Sequence, residues 1–508
     1  MPLGKDTPLY LHALQNVGLL VLSVIFLPID TFVLVWSFIL RPTLAPDKSR
    51  DALTKTRNKP SFKQRTILVT GVGMTKGLVL ARAFHLAGHR VIGADFEANG
   101  ALVCGRVSRS LNKFCPMQKP TPTSSDRYVQ SLLNIIQHEQ VDLWVSCSGV
   151  ASAVSDGEAK EVIERETKCE AIQYDIKTTE TLHEKHTFIQ RTQEIGLTVP
   201  ETHVVESKDQ LRDIFGDARK KGIHYIMKTI GMDDANRGDM TLLPADSESA
   251  TEKAVQRINA SKETPWIAQQ FIKGKEYCTH AVVIRGAVKV FVACPSLELL
   301  MHYEALPYDS ALSKAMLAFT RKFASASGPE FTGHLSFDFL VEEKDQREQD
   351  PDKITLYPIE CNPRAHTAVA LFNDTPEMVD AYLSLLDRRK TGYDASEAEA
   401  ETPVIPRHPA KYHWIGHDLV ACLIMPIIEV ISSAASNSKD DKEAGLVAGF
   451  QQFIDYMLNW KDGTYEVWDP LPWWWLYHVY WPMQFFNALT AGAKWSRVNV
   501  STTKMFMC

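Results

Sequence analysis

The run Tyr357-Pro-Ile-Glu-Cys-Asn-Pro-Arg364 sets Glu360 and Asn362 two residues apart, with Arg364 two further on. In an extended strand, residues i and i+2 point to the same face. Both side-chain oxygens therefore aim at one point, while Pro363 ends the strand and turns Arg364 out beside them. Hard oxygen ligands converging in this way suit Mg²⁺, which keeps some waters and takes further ligands from substrate phosphates. A guanidinium next to that ion suits a phosphoryl group in transfer. A second acid, Asp338, is the lone carboxylate of the β-type run Gly333-His-Leu-Ser-Phe-Asp-Phe-Leu340. An acidic insertion (Glu342 to Asp352) then leads to a strand expected over Ile354–Ile359. That order predicts a hairpin with Asp338 on one arm and Glu360 on the other. The bland reading is an edge hairpin with solvated carboxylates.

The two strands resemble the metal-binding core of the ATP-grasp ligases, such as D-alanine–D-alanine ligase and the large chain of carbamoyl phosphate synthetase. In that family an acid on one strand and a Glu-x-Asn on the next hold two Mg²⁺ ions against the ATP phosphates, and Mn²⁺ can replace them. The resemblance puts Asp338, Glu360 and Asn362 in those positions. Upstream, Lys185 in His183-Glu-Lys-His-Thr-Phe188 and Lys228 at the end of Ile223-His-Tyr-Ile-Met-Lys228 match the family's two phosphate-side lysines. Glu184 stands where Asp is commoner. The segment Trp266-Ile-Ala-Gln-Gln-Phe-Ile-Lys-Gly-Lys-Glu-Tyr277 resembles the hinge whose backbone reads the adenine edge. By that resemblance Gln270, Phe271 and Ile272 face adenine and Glu276 accepts the ribose hydroxyls. Gln269 takes a nucleotide-side place more often held by an acid. Most members fold a Gly-rich loop over the phosphates. Here the loop is Gly231-Met-Asp-Asp-Ala-Asn-Arg-Gly-Asp239, with only two glycines, and Arg237 is expected to supply anion binding.

Within the family the likeness is nearest to the mycosporine-glycine synthase type, from the N-terminal apolar segment through to the aromatic tail. The resemblance implies an ADP-forming C–N ligase of secondary metabolism. Such an enzyme phosphorylates a carboxylate or enolate oxygen of a small molecule (a cyclohexenone in that type). An amine or amino acid then displaces the phosphate. Arg364 would stabilise the phosphoryl group in transfer. His366 is expected either to accept the amine's proton or to serve structurally.

Positioning such a site takes an α/β chain of several domains. At 508 residues and 45% hydrophobic content the chain can bury a large core. The expected order is a tail (1–16), a transmembrane or membrane-hairpin segment (17–40), a basic linker (41–64) and a Rossmann-like domain (65–180). An ATP-grasp domain of two α+β lobes (181–388), a linker (389–410) and a helical, aromatic-rich C-terminal region (411–508) follow. Val17 to Leu40 is long and apolar enough to cross a bilayer, although Pro28 and Asp30 interrupt it. Arg41 to Arg65 holds eight Lys/Arg against Asp47 and Asp51, which keeps the catalytic part in the cytosol by the positive-inside rule.

Thr66-Ile-Leu-Val-Thr-Gly-Val-Gly-Met-Thr-Lys-Gly77 with Asp95 imitates a dinucleotide fingerprint, but Lys76 sits where the third glycine belongs. An NAD-dependent oxidoreductase built on this unit is the alternative enzyme class, and a nucleotide-binding pseudoenzyme anchored to a membrane is the alternative non-enzyme. The small-residue turn Cys147 to Ser152 lies where a substrate pocket would form. Leu419–Ile431 reads as an apolar helix interrupted at Pro426, and Ser432 to Lys442 as a loop. Five tryptophans between Trp468 and Trp481 point to the headgroup region of a bilayer. A net charge of −6 argues against a general nucleic-acid binder, and nine cysteines without a C-x-x-C pair argue against a disulfide or zinc framework.

Overall fold

Thr66–Thr70 is apolar on both faces, which suits a central strand of a parallel sheet covered on each side. It forms β1 in the computed structural model, which describes residues 3–508 apart from 122, 148, 150–151, 230–240, 297–300, 388–392 and 433–438. With β2 (Arg90–Asp95), β3 (Lys113–Pro116), β4 (Leu143–Val145) and β5 (Glu170–Ile172) it makes a parallel sheet ordered β3-β2-β1-β4-β5. The helix Thr75–Leu86 follows β1 and packs on it. The chain is of mixed α/β class.

Two antiparallel sheets follow. One joins β6 (Thr202–Val205), β7 (Tyr225–Thr229) and β8 (Trp266–Gln270) in the order β6-β8-β7, with helices Lys208–Lys221 and Glu248–Arg257 beside it. The other joins β9 (Gly274–Ile284), β10 (Ala287–Pro295), β11 (Gly333–Glu342) and β12 (Tyr357–Asn362) in the order β10-β9-β11-β12. As an edge strand β12 tolerates Pro358, and the register slips there between Asp338 and Phe339. Of the expected 389–410 linker, the described part is held to the sheet: Val404 N–H donates to Lys289 O (2.8 Å) and Val404 O accepts from Phe291 N–H (3.0 Å), extending the β10 edge.

Four expectations need correction. The hairpin alternative for the N-terminal apolar segment is not seen: Leu9–Leu44 is one 36-residue helix, α1, running through Pro28 and Pro42. Proline removes one backbone bond from a helix without ending it when the flanking residues hold. Helix likewise continues past Pro426, because a wider π turn over Leu419–Ile424 absorbs its missing N–H before the helix Met425–Ser432. Of the loop expected over Ser432 to Lys442, Ser432 ends that helix and Lys439 to Lys442 open another over Lys439–Asn459, while 433–438 lie outside the described residues. The aromatic run, expected at a lipid interface, lies inside the protein. Trp468, Trp473 and Trp481 are buried, and Leu476, Tyr480 and Trp481 share one core with Val69, Val103 and Phe372. Indole and phenol rings suit a packed core as well as a headgroup layer, and here they find protein partners.

Burial also holds histidines neutral. His89 accepts from Arg65 N–H (3.2 Å), and burial lowers its pKa to about 4; burial lowers that of His334 to about 3. Below the ordinary value of 6.5 the unfolded chain therefore binds protons that the folded chain refuses. Stability is fully present above that value and is lost as pH falls toward about 4. The urea midpoint should drop across this window, and His89→Gln, which keeps an acceptor for Arg65, should flatten the drop. An unchanged slope in the variant would contradict the assignment.

Candidate active site

Strand pairing brings three acids to one end of the second antiparallel sheet. Asp338 on β11 stands opposite Glu360 on β12, and Leu340 of β11 stands opposite Glu276 on β9. The hairpin expected from sequence is therefore present, with Asp338 and Glu360 in register. Asn362 donates through Nδ2 to Asp338 Oδ2 (3.0 Å), while its buried Oδ1 has no hydrogen-bond partner. Burial, with Glu360 and Glu276 close by, raises Asp338 to about 8. Carboxylates crowded in this way call for cations, and an orphaned amide oxygen beside them is a ready ligand. The set fits Mg²⁺: two carboxylates and one amide oxygen, all hard donors. Among the described residues no three His, Cys, Asp or Glu side chains form a metal cluster.

Two lysines face the acids from other elements. Lys185, at the start of the helix Lys185–Glu194, pairs with Glu360 (3.1 Å). Lys228 on β7 donates to Gln269 Oε1 on β8 (2.6 Å). Burial of its ammonium, with Lys185 nearby, lowers Lys228 to about 7. Gln269 is almost wholly buried and orients this lysine.

The hinge is more restricted than its sequence indicates. Gln270 N–H donates to Glu201 O (2.8 Å), and its Oε1 accepts from Glu201 N–H (3.0 Å). Phe271 N–H donates to His224 O (2.7 Å), and Ile272 is buried. Glu276 Oε1 accepts from Ser296 Oγ (2.7 Å), a partner not foreseen from sequence.

Arg364 follows the site, its N–H donating to Asn362 O (2.8 Å). His366 caps the short helix Thr367–Phe372, with Nδ1 accepting from Ala368 N–H (3.4 Å), and its ring meets Tyr303 edge-on at 5.7 Å. Burial, Lys76 and Arg364 push its pKa down to about 3. Arg237 and the loop Gly231–Asp239 lie outside the described residues, as do Ser148, Val150 and Ala151 of the small-residue turn.

Lys76 is the residue that sequence reading undervalued. It is buried, and its Nζ donates to Ala365 O (2.9 Å), joining the glycine turn of the parallel sheet to the backbone just after Arg364. Burial, with Arg364 close, lowers it to about 7. The only signal in the sequence was a lysine occupying a glycine position.

The glycine turn itself is filled by protein. Asp95 accepts from Gly73 N–H (2.6 Å) and Phe96 N–H (2.7 Å), so the acid expected to hold a ribose is engaged within its own loop. A Cβ on Gly105 would collide with the backbone of Val72, so the 104–107 turn lies directly against the loop where a pyrophosphate would lie. A cavity of about 320 Å³ opens elsewhere, along the outer edge strand β10, lined by Phe291, Ala293, Tyr308 and Pro406.

No protein-family model and no curated protein matches the chain. Among solved structures it is similar to N5-carboxyaminoimidazole synthetase from Staphylococcus aureus complexed with ADP, at 14% identity and TM-score 0.45, covering 65% of this chain and 79% of that one. It is similar to L-amino acid ligase from Bacillus licheniformis at 14% identity and TM-score 0.42, covering 67% and 78% respectively. A biotin carboxylase–β,γ-ATP complex from Campylobacter jejuni shows 16% identity and TM-score 0.43, covering 66% and 73%.

Proposed function

We propose that this chain is an ADP-forming ligase of the ATP-grasp type that activates a carboxylate or enolate oxygen and joins the carbon to an amine or amino acid. The observation that carries the reading is the register pair Asp338–Glu360 with Asn362 beside it, faced by Lys185 and Lys228. Asp338, Glu360 and Asn362 would hold Mg²⁺, which supplies charge neutralisation at the β- and γ-phosphates. Lys185 and Lys228 offset phosphate charge from the opposite side. Because the amides of Gln270 and Phe271 already donate to Glu201 and His224, adenine reading falls to the amide of Ile272. Glu276, steadied by Ser296, accepts the ribose hydroxyls.

The γ-phosphoryl leaves ADP and bonds to the acceptor oxygen next to Arg364, whose guanidinium balances the charge. The amine nitrogen then attacks the acceptor carbon, the C–O bond breaks, and inorganic phosphate leaves with that oxygen and takes up the proton that the amine gives up. His366, held neutral by burial with Lys76 and Arg364 nearby and with its Nδ1 already accepting from Ala368 N–H, acts as a positioning residue that fixes the turn after Arg364. In the finer reading the acceptor is a cyclohexenone and the amine an amino acid such as glycine, as in the mycosporine-glycine synthase type. The chain works at a membrane with its catalytic part in the cytosol; the apolar window of α1, with mean hydropathy 2.4, and the basic run after it support this.

Lys228→Met should raise KM for ATP about ten- to hundredfold, the loss of one charge-assisted contact. MgATP should displace a fluorescent ATP analogue from the wild type, and NAD should not. Displacement by NAD alone would overturn the reading in favour of an oxidoreductase.

A further inference from the structure

Four polar residues recur on α1 at seven-residue intervals: Asn16, Ser23, Asp30 and Ser37. A seven-residue step drifts only about 20° around a straight helix, so they form one seam. Each one is hydrogen-bonded to the C-terminal region. Asn16 Oδ1 accepts from Trp495 Nε1 (3.0 Å) and Ser23 Oγ donates to Tyr477 O (2.9 Å). Asp30 Oδ2 pairs with His478 Nε2 (2.8 Å), and Ser37 Oγ bonds Tyr465 Oη (2.6 Å). Beside the seam, Thr31 Oγ1 accepts from Trp474 Nε1 (3.1 Å).

These partners belong to the catalytic body. Trp475 Nε1 donates to Leu102 O (3.0 Å), Asn487 Nδ2 to Asn99 O (3.2 Å), and Asp469 pairs with buried Arg82 (2.9 Å). Both ends of α1 are fastened to that body as well. Lys494 Nζ donates to Lys5 O and Thr7 O (both 2.8 Å), and at the far end Lys48 pairs with Asp374 (3.1 Å). From Asn16 to Ser37 is roughly 32 Å of helix at about 1.5 Å per residue, about the full hydrocarbon thickness of a bilayer. If α1 crossed the membrane, the loops around Asn99 and Leu102, with Glu97 and Arg106, would have to enter lipid with it.

The opposite face of α1 is open and apolar. Leu14, Val17, Val21, Val24, Ile25, Phe32, Val35, Trp36 and Ile39 are all exposed, Val24 by 68% and Phe32 by 64%. Asp30 is the only ionisable residue between His12 and Arg41, and it points inward. Protein interfaces carry a polar rim and scattered hydrogen bonds; this stripe offers neither, as lipid requires. Tyr477, whose carbonyl holds Ser23, also accepts from Gly416 N–H through its hydroxyl (3.2 Å). Gly416 begins the helical hairpin that leads to exposed Ile428, Ile431, Phe450 and Leu458. A second exposed apolar element is thus tied to α1 through Tyr477, and the basic run Arg41 to Arg65, which follows α1 in the sequence, complements anionic headgroups.

We infer that α1 does not span the bilayer but lies along one leaflet, its polar seam bolted to the catalytic body and its outer stripe sunk among acyl chains. The protein is monotopic, with both ends of α1 on the catalytic side. This holds whatever reaction the site performs.

Flotation and labelling test the inference. The full chain should float with vesicles of phosphatidylcholine and phosphatidylserine, and less well with phosphatidylcholine alone. Val24→Lys with Phe32→Lys should cut the floated fraction about tenfold or more without shifting the urea midpoint. For topology, Cys422 and Cys508, the two cysteines that are not buried, are replaced by serine. Gly4→Cys, a position with open space around it, or Lys59→Cys is then introduced, and the chain is synthesised with microsomal membranes. A membrane-impermeant maleimide should label both equally without detergent. Labelling of Gly4→Cys only after detergent would show a spanning helix and overturn the inference. A wild type that fails to float, or that forms a dimer covering the stripe, would overturn it too, and the labelling readout stands even if the lysine variant misfolds.

Discussion

Glu360→Ala should cut the proposed ADP release by about 10²–10³-fold or more while the protein stays folded. Glu360 is both an oxygen donor opposite Asp338 and the partner of Lys185 at 3.1 Å. In the proposed site its removal would take one hard ligand from the phosphate end and leave Lys185 without its partner. Losing a single preorganised charge contact to a transferring group costs about that much. The side chain is 36% exposed, so the fold loses no more than a surface pair, about 1 kcal/mol or less. Coupled detection of ADP alongside a urea titration separates the two effects. Full activity in the variant would sink the site, and a collapsed urea midpoint would show that Glu360 holds the sheet together.

The largest loss of stability is expected at Asp469→Ala, about 3–5 kcal/mol. Asp469 is wholly buried and accepts from Arg82 Nε (2.9 Å), Ser108 Oγ (2.6 Å) and Arg109 N–H (2.9 Å). The Arg82 guanidinium also donates to Thr464 O (2.9 Å) and Asp469 O (2.8 Å). Truncating the acid strands a buried guanidinium, whereas replacing both partners by apolar residues removes both desolvation penalties. Arg82→Met with Asp469→Leu should therefore recover most of the loss, and urea unfolding of both variants measures it. A single variant within about 1 kcal/mol of wild type would show that the tail is not anchored there.

Local patterns were legible where chemistry and period coincide. Two β-type runs joined by an acidic insertion put Asp338 and Glu360 on the two arms of a hairpin, and a two-residue step sets Asn362 beside Glu360. The parallel sheet was legible from the apolar run into Gly71 and Gly73. What stayed hidden depends on contacts distant in sequence. Lys76 looked like a flawed glycine motif because its partner, Ala365 O, lies 289 residues away. The hinge amides looked free until Glu201 and His224 were placed beside them. The five tryptophans suit a lipid anchor and a buried core equally by composition, which cannot separate a headgroup layer from a packed interior. The seven-residue polar step on α1 stood in plain view, but its meaning needed Trp495, His478 and Tyr465 on the far side of the chain.

Phosphorus NMR of the wild-type protein with MgATP, a panel of amino acids and carboxylate or cyclohexenone acceptors tests the central claim most directly. ATP should convert to ADP and inorganic phosphate only when an acceptor and an amine are both present, with a C–N adduct formed in equal amount. Release of AMP and pyrophosphate, or adduct formation without ATP, would contradict the account.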